Sequence, residues 1–296
     1  MSTRTSLTLV ALVLGVTGAA PGATAVAKRR PAAPPTIYGG STSDDAPFGL
    51  QVSKDHRHLV RLLIHAGAPC PSGATAVVSE AVPFAAKRPK SSQANTIIGN
   101  RLKAGGRFSF PGAATQDYGA RTGLVAENVT GRIHGATAKG TFDLTVKVID
   151  TASGETVETC RSDTLHWTAR AAKGRIFIGL TASRRPVVMA LTPDRLQVAD
   201  IWFGWTAPCR PQGTLVVGDH LSHFSVSPGG QFGEAFDAGP YGRPDGSSVT
   251  WHYDVHGAVS RTSASGTIAA TWARTDAAGA TDATCELPAE QWKAAS

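Results

Sequence analysis

Histidine and aspartate residues alternate near the end of the chain. Side chains of these two types can bind a metal ion or act in acid–base catalysis. His252, Asp254 and His256 would share one face of a β-strand, because strand side chains point to alternate faces. Residues four apart on a strand have Cα atoms about 13 Å apart, at about 3.3 Å per residue. The two histidines are therefore poorly placed to share one ion, and we predict no metal site.

No motif of a known catalytic class occurs in the sequence. The chain lacks the nucleophile elbow G-x-S-x-G, the zinc motif H-E-x-x-H and a glycine-rich phosphate loop. Glu127 falls on an otherwise apolar strand face, where burial would raise its pKa. Its counterpart in the second half of the chain is Tyr253, which favours an edge position for both. We predict a protein without catalysis and without a cofactor.

Two groups of residues are candidates for binding. Trp202 points away from the apolar face of its predicted strand and lies beside Asp200. An exposed aromatic ring of this kind offers a platform for stacking a sugar. The alternative is a tryptophan covered by the first half of the chain. Lys87, Arg88 and Lys90 belong to a basic insertion that would suit an anionic cell-wall polymer or membrane surface, or would be a solvated loop.

Composition and charge exclude several classes of protein. The 296 residues are 17% charged and 42% hydrophobic, which is not the composition of a disordered chain. The formal net charge is +7, and residues 36–170 carry +4 of it whereas residues 174–296 carry −2. No aromatic residues interleave with the basic residues of the insertion, so nucleic acid is not an expected partner.

The start of the chain has the pattern of an export signal. A basic residue, Arg4, precedes the apolar residues 7–15, and small residues follow at 23–27. We predict a signal peptide over residues 1–27 and a basic, proline-rich tether over residues 28–35. The protein would then be secreted or associated with the cell surface, with no membrane span after cleavage.

The two halves of the chain repeat one pattern. Residues 37–70 align with residues 176–209 at a constant offset of 139, and later landmarks recur in the same order. Both halves close on Cys-x6-Trp-x-Ala, at Cys160 and at Cys285. We interpret the chain as a tandem duplication with repeats over 36–170 and 174–296.

Cysteine pairing follows from the repeats. Four cysteines allow three pairings, and duplication favours the one that treats both copies alike. We predict the disulfides Cys70–Cys160 and Cys209–Cys285, which would persist in the oxidising space that export provides.

Apolar and polar residues alternate along the segments of each repeat. Leu62 and Ile64 would face a core while Leu63 and His65 face water, as in an antiparallel sheet. Glycine, proline and aspartate separate these segments, and no amphipathic helix lies between them. We predict an all-β protein of two tandem, disulfide-stapled antiparallel β-sandwich domains, with small β-barrels as the alternative.

The shared landmarks are a Gly-x-Thr opening, a strand ending on cysteine, Gly-x-Phe, a Lys/Ser-Gly-Thr strand and Cys-x6-Trp-x-Ala. Together they resemble a recurrent all-β module of exported proteins from high-GC, Gram-positive-type bacteria, and the resemblance covers nearly all of residues 37–295. It implies an all-β fold and export, and it implies no activity, ligand or catalytic residue.

The function that we predict is extracellular binding without catalysis. The favoured partner is a cell-surface polysaccharide or another polymer of the cell envelope. Two alternatives come from other classes: a secreted hydrolase with a site between the repeats, and a structural stalk.

Overall fold

The computed structural model describes residues 37–87, 96–118, 120–211 and 213–296, which consist mainly of β-strands. The strands form two sheets, one from residues 37–170 and one from residues 176–295, which we call domain 1 and domain 2. The predicted all-β fold of two disulfide-stapled β-sandwiches is confirmed. The predicted signal peptide (1–27) and tether (28–35) lie outside the described residues.

Domain 1 contains ten strands. They are β1 (Ile37–Thr42), β2 (Pro47–Val52), β3 (Leu59–Pro69), β4 (Thr75–Ala85), β5 (Thr96–Ile98), β6 (Arg107–Asp117), β7 (Arg121–His134), β8 (Thr137–Asp150), β9 (Thr156–Arg161) and β10 (Leu165–Arg170). The sheet order is β10-β1-β2-β3-β4-β5-β6-β7-β8-β9, and β10 pairs with β8 as well as with β1. Together with the sheet order, this second pairing closes a ring of hydrogen-bonded strands through β8 and β10. The short β4–β5 pair is parallel, which the prediction of purely antiparallel sheets missed.

Domain 2 contains eight strands. They are β11 (Ile176–Thr181), β12 (Pro186–Leu191), β13 (Gln197–Arg210), β14 (Thr214–Ser225), β15 (Gln231–Gly242), β16 (Ser248–Val259), β17 (Ser263–Thr275) and β18 (Thr281–Ala295). The sheet order is β14-β13-β12-β11-β18-β17-β16-β15, with a further pairing of β13 to β18. The long strand β18 contains both Cys285 and Trp292. The corresponding residues of domain 1, Cys160 and Trp167, lie on two separate strands, β9 and β10.

The tryptophan of the Cys-x6-Trp landmark lies in the core of each domain. Trp167 is 1% exposed and stacks on Phe48, with ring centroids 4.2 Å apart. Trp292 is equally buried and contacts Phe203 and Phe232, each with ring centroids 6.2 Å apart. These landmarks therefore specify packing.

The landmark glycines allow strands to approach one another closely. A Cβ atom on Gly40 would lie 2.1 Å from the carbonyl oxygen of Thr168 in β10. A Cβ atom on Gly179 would lie 1.8 Å from the carbonyl oxygen of Lys293 in β18. No side chain fits at either position without moving the paired backbone.

Both predicted disulfides are confirmed. Cys70 is bonded to Cys160 and Cys209 to Cys285, and the described residues contain no free cysteine. Two disulfides indicate an oxidising environment. Among the described residues, no helix is long and apolar enough to cross a membrane.

The central strands of both domains are buried on both faces, whereas the alternation predicted one wet face. In β3, Leu62 and Ile64 face the core of domain 1, but Leu63 is also 0% exposed and His65 is 6% exposed. Leu63 packs in a separate cluster with Ile178, Val188 and Trp202 of domain 2. The outer face of β3 is therefore an interface between the domains.

Candidate functional site

A row of positively charged side chains crosses the outer face of domain 1. Arg107 of β6 lies opposite Arg132 of β7, and Arg132 lies opposite Lys139 of β8. All three side chains are exposed. Because neighbouring strands are about 4.8 Å apart, the three residues form a line across the sheet. We call Arg107, Arg132 and Lys139 the basic row.

The basic row has no carboxylate partner in the part of the chain that the structure describes. Like charges placed directly opposite one another on a sheet destabilise it. This arrangement therefore carries an energetic cost that a bound anion would offset.

Polar residues flank the basic row on the same face. Lys139 lies opposite Thr168 of β10, and the neighbouring position pairs Thr141 with His166. The hydroxyl groups of Thr130 and Thr141 are 2.7 Å apart and hydrogen-bonded. The face thus combines cationic groups with hydroxyl groups, both of which bind anionic or sugar ligands.

Three grooves that share lining residues lie at or near the basic row. Two of them, of about 570 and 590 Å³, share Arg132, Lys139 and Thr168 as lining residues. Of the described residues that line these two grooves, none carries a carboxylate. The third groove, of about 450 Å³, lies between the domains and shares Thr168 and Arg170 with the groove of about 590 Å³. The grooves could accommodate an extended ligand.

The basic insertion falls within residues 77–104 of the sequence, and its end lies beside the basic row. The backbone N–H of Lys103 donates to the carbonyl oxygen of Arg107 (2.8 Å). Arg132 Nε donates to the carbonyl oxygen of Gly105 (3.2 Å). Lys87 is exposed, and the other predicted ligand-binding residues of the insertion, Arg88 and Lys90, lie outside the described residues.

Domain 2 has a nearly neutral row at the aligned position. Gln231, Ala258 and Ser265 lie opposite one another on β15, β16 and β17, and Lys293 of β18 follows. The sandwich of domain 2 therefore forms with a single charged residue, Lys293, in this row. Comparing the two halves residue by residue would have revealed the basic row, which the sequence analysis missed.

Trp202 is not an exposed platform, and the sugar-stacking interpretation is corrected. The residue is 9% exposed and packs with Leu63, Ile178 and Val188 between the domains. One face of its ring stacks on His220, with centroids 4.9 Å apart. The alternative of a covered aromatic residue describes its position, because the outer faces of β3 and β13 bury each other.

Asp200, the other predicted binding residue near Trp202, belongs to a hydrogen-bonded group at the domain interface. His220 Nε2 is 2.9 Å from Asp200 Oδ1, and His220 Nδ1 is 2.7 Å from Asp45 Oδ2. Trp202 Nε1 donates to Asp45 Oδ1 (3.1 Å). Asp45 comes from domain 1, so this group ties the two domains together. Sequence reasoning did not find Asp45 or His220 as partners.

A second contact between the domains surrounds His65. A Cβ atom on Gly204 would lie 3.1 Å from His65 Nδ1, and one on Gly218 would lie 2.7 Å from His65 Cδ2. Beside it, Arg185 donates from a guanidinium nitrogen to the carbonyl oxygen of Ser79 (2.8 Å). Burial, with a smaller contribution from the Arg185 charge, lowers the pKa of His65 to about 4.

Acid should weaken this contact. An unfolded His65 takes up a proton below about pH 6.5 while the folded one stays neutral to about pH 4, so its contribution to stability is lost as pH falls through this range. The difference in unfolding free energy between wild type and His65→Asn should change by about 3 kcal/mol from pH 6.5 to pH 4. Denaturant titrations at both pH values measure it, and an unchanged difference would contradict a neutral, buried His65.

Each domain also contains a carboxyl group whose pKa is raised by burial. Glu127 is 4% exposed on the central strand β7, so its predicted edge position is wrong. Burial, and then the charge of Glu80, raise the pKa of Glu127 to about 8. In domain 2, burial raises the pKa of Asp219 to about 6, against hydrogen bonds from Trp205 and Tyr253. Glu80 and Asp219 align at the offset of 139, a regularity that sequence analysis missed.

Potential metal-ligating atoms converge at one place in the described part of the chain. The group contains Cys70, Cys160 and Glu158, and its two sulfur atoms are joined in a disulfide. His252 and His256 form separate contacts of 2.7 Å with Asp237 and Asp254.

Comparison of the chain with protein-family models, with curated proteins and with solved structures gives no match. The candidate site therefore depends on its own geometry and charge.

Proposed function

We propose that this protein binds an anionic polymer of the cell surface through the basic row of domain 1. The main support is the strand register, which aligns Arg107, Arg132 and Lys139 on an exposed face of the sheet. Among the described residues, none of the three has a carboxylate partner. Guanidinium groups form paired hydrogen bonds to carboxylate and phosphate groups, and the ammonium group adds a point charge.

We also propose that the protein is exported and acts outside the cytoplasm, as two duplicated modules of which the first holds the ligand. The two disulfides and the export-signal pattern support this location. The neutral row of Gln231, Ala258 and Ser265 supports a single site per chain.

The test replaces each residue of the basic row in domain 1 by the aligned residue of domain 2. The variant Arg107→Gln, Arg132→Ala, Lys139→Ser should lose about 100-fold or more in affinity for anionic polymers, because each charge-assisted contact contributes about 1 kcal/mol or more. Retention on insoluble cell wall and on immobilised anionic and neutral polysaccharides at low and high salt measures this loss. Wild-type retention should fall with salt.

The matched control removes three positive charges elsewhere on domain 1. The variant Lys54→Ser, Lys147→Ser, Arg161→Gln changes the net charge equally and should keep most of the retention. The row variant should unfold at nearly the same free energy, since it removes repulsion between like charges and one exposed hydrogen bond of Arg132. If both variants lose the same amount of retention, the basic row is not the binding site. Absence of retention by wild type on every polymer would favour the structural stalk.

A further inference from the structure

We propose that the ligand of the basic row is a linear glycan of uronic acid residues that lies across the strands. Each of three successive carboxylates would meet one charge of the row. This inference rests on the proposed function and specifies the ligand and its direction.

The sheet itself decides the direction. Along β8, the positions that share a face with Lys139 are Thr141 and then Asp143, so a polyanion that followed this strand would meet a carboxylate. Along β7, Arg132 is followed by Thr130 and Asn128, which carry no charge. Only the direction across the strands places successive cations in line.

Spacing favours a glycan with one carboxylate per sugar. Cross-strand neighbours are about 4.8 Å apart, whereas same-face neighbours on one strand are about 6.7 Å apart. One pyranose residue advances an extended glycan by a distance close to the cross-strand spacing. The hydroxyl groups of Thr130, Thr141 and Thr168 line the same grooves and can hydrogen-bond sugar hydroxyl groups.

The path continues from the basic row towards domain 2. Thr168 is the next residue across the sheet after Lys139, and Arg170 lines both the second groove and the groove between the domains. That third groove contains Arg175 and, on its domain 2 side, Asp200. Because Asp200 would repel a uronate, we place the end of the bound glycan before it.

Oligogalacturonates of one to six residues test the spacing by calorimetric titration. The dissociation constant should fall roughly tenfold with each residue up to three. It should change less with the fourth residue, because the row is then filled and the next position across the sheet, Thr168, carries no charge. A polyphosphate of equal charge should bind more weakly than the trimer, since it lacks sugar hydroxyl groups.

A double substitution that moves one positive charge without changing the net charge tests the position of the row. The exchange Lys139→Thr with Thr137→Lys shifts the cation about 6.7 Å along β8 and breaks the row. We expect it to weaken binding of the trimer about tenfold. The matched control, Lys147→Thr with Thr145→Lys, makes the same exchange further along β8 and should not change it.

The outcomes separate the two proposals. If polyphosphate binds as tightly as the trimer, or if the Lys139 exchange has no effect, binding depends on net charge and the uronate proposal is overturned while polymer binding stands. If no polyanion binds wild type at all, both proposals are overturned.

Discussion

Replacing Glu127 by Gln should stabilise the protein by about 4 kcal/mol at pH 8. In the folded state Glu127 has a pKa of about 8, because burial and the charge of Glu80 oppose its ionisation, against 4.5 for an ordinary glutamate. The unfolded chain releases this proton above about pH 4.5, whereas the folded chain keeps it to about pH 8. Stability is therefore lost as pH rises through this range.

Between pH 6.5 and pH 8 the change in stability reports mainly on Glu127, because the contributions of His65 and Asp219 change at lower pH. Wild type should lose about 2 kcal/mol there, and Glu127→Gln should lose little. Denaturant unfolding at the two pH values measures both losses. Glu155→Gln, at an exposed position, is the control and should behave as wild type.

The carboxyl group of Glu127 fits closely against the neighbouring strand. Gly112 lies opposite Glu127, and a Cβ atom there would lie 2.3 Å from Glu127 Oε1, so the glycine makes room for the carboxyl group. Neither carboxyl oxygen has a hydrogen-bond partner among the described residues. A neutral amide has the same size and avoids the buried charge. An equal loss of stability in wild type and variant would show that Glu127 does not stay protonated.

Removing either disulfide should destabilise the protein by about 4.5 kcal/mol, since closing a long loop restricts the unfolded chain. The bonds span 90 residues in domain 1 and 76 in domain 2, and the loss depends only weakly on this length. The double replacements Cys70→Ala with Cys160→Ala, and Cys209→Ala with Cys285→Ala, should therefore cost nearly the same. Denaturant unfolding measures each loss.

Reduction of wild type by a thiol provides a check on these replacements, because it opens the same loops without changing side-chain volume. Both routes should lower the unfolding midpoint. A loss below about 1 kcal/mol in either domain would mean that its unfolded chain stays compact without the bond.

Much of the architecture could be predicted from local pattern. The alternation around Leu62 and Ile64 identified strands and a core face, and the repeated cysteines identified both disulfide pairs. These predictions succeeded because alternation reports the two faces of a strand directly and because each aligned half contains one pair.

The candidate site could not be predicted in the same way. Arg107, Arg132 and Lys139 are distant in sequence from one another or separated by a turn, and only the strand register places them in one line. The predicted binding residues of the insertion are close to one another in the chain, but the three residues of the basic row come from β6, β7 and β8.

The amino-acid pattern was enough to identify the strands, the cysteine pairs and the excess of positive charge in the first half of the chain. That Trp202 and His65 are covered and that the basic row is open became visible only in the folded protein. Alternation assigns a side chain to one face of a strand, whereas contacts between distant segments determine what covers that face.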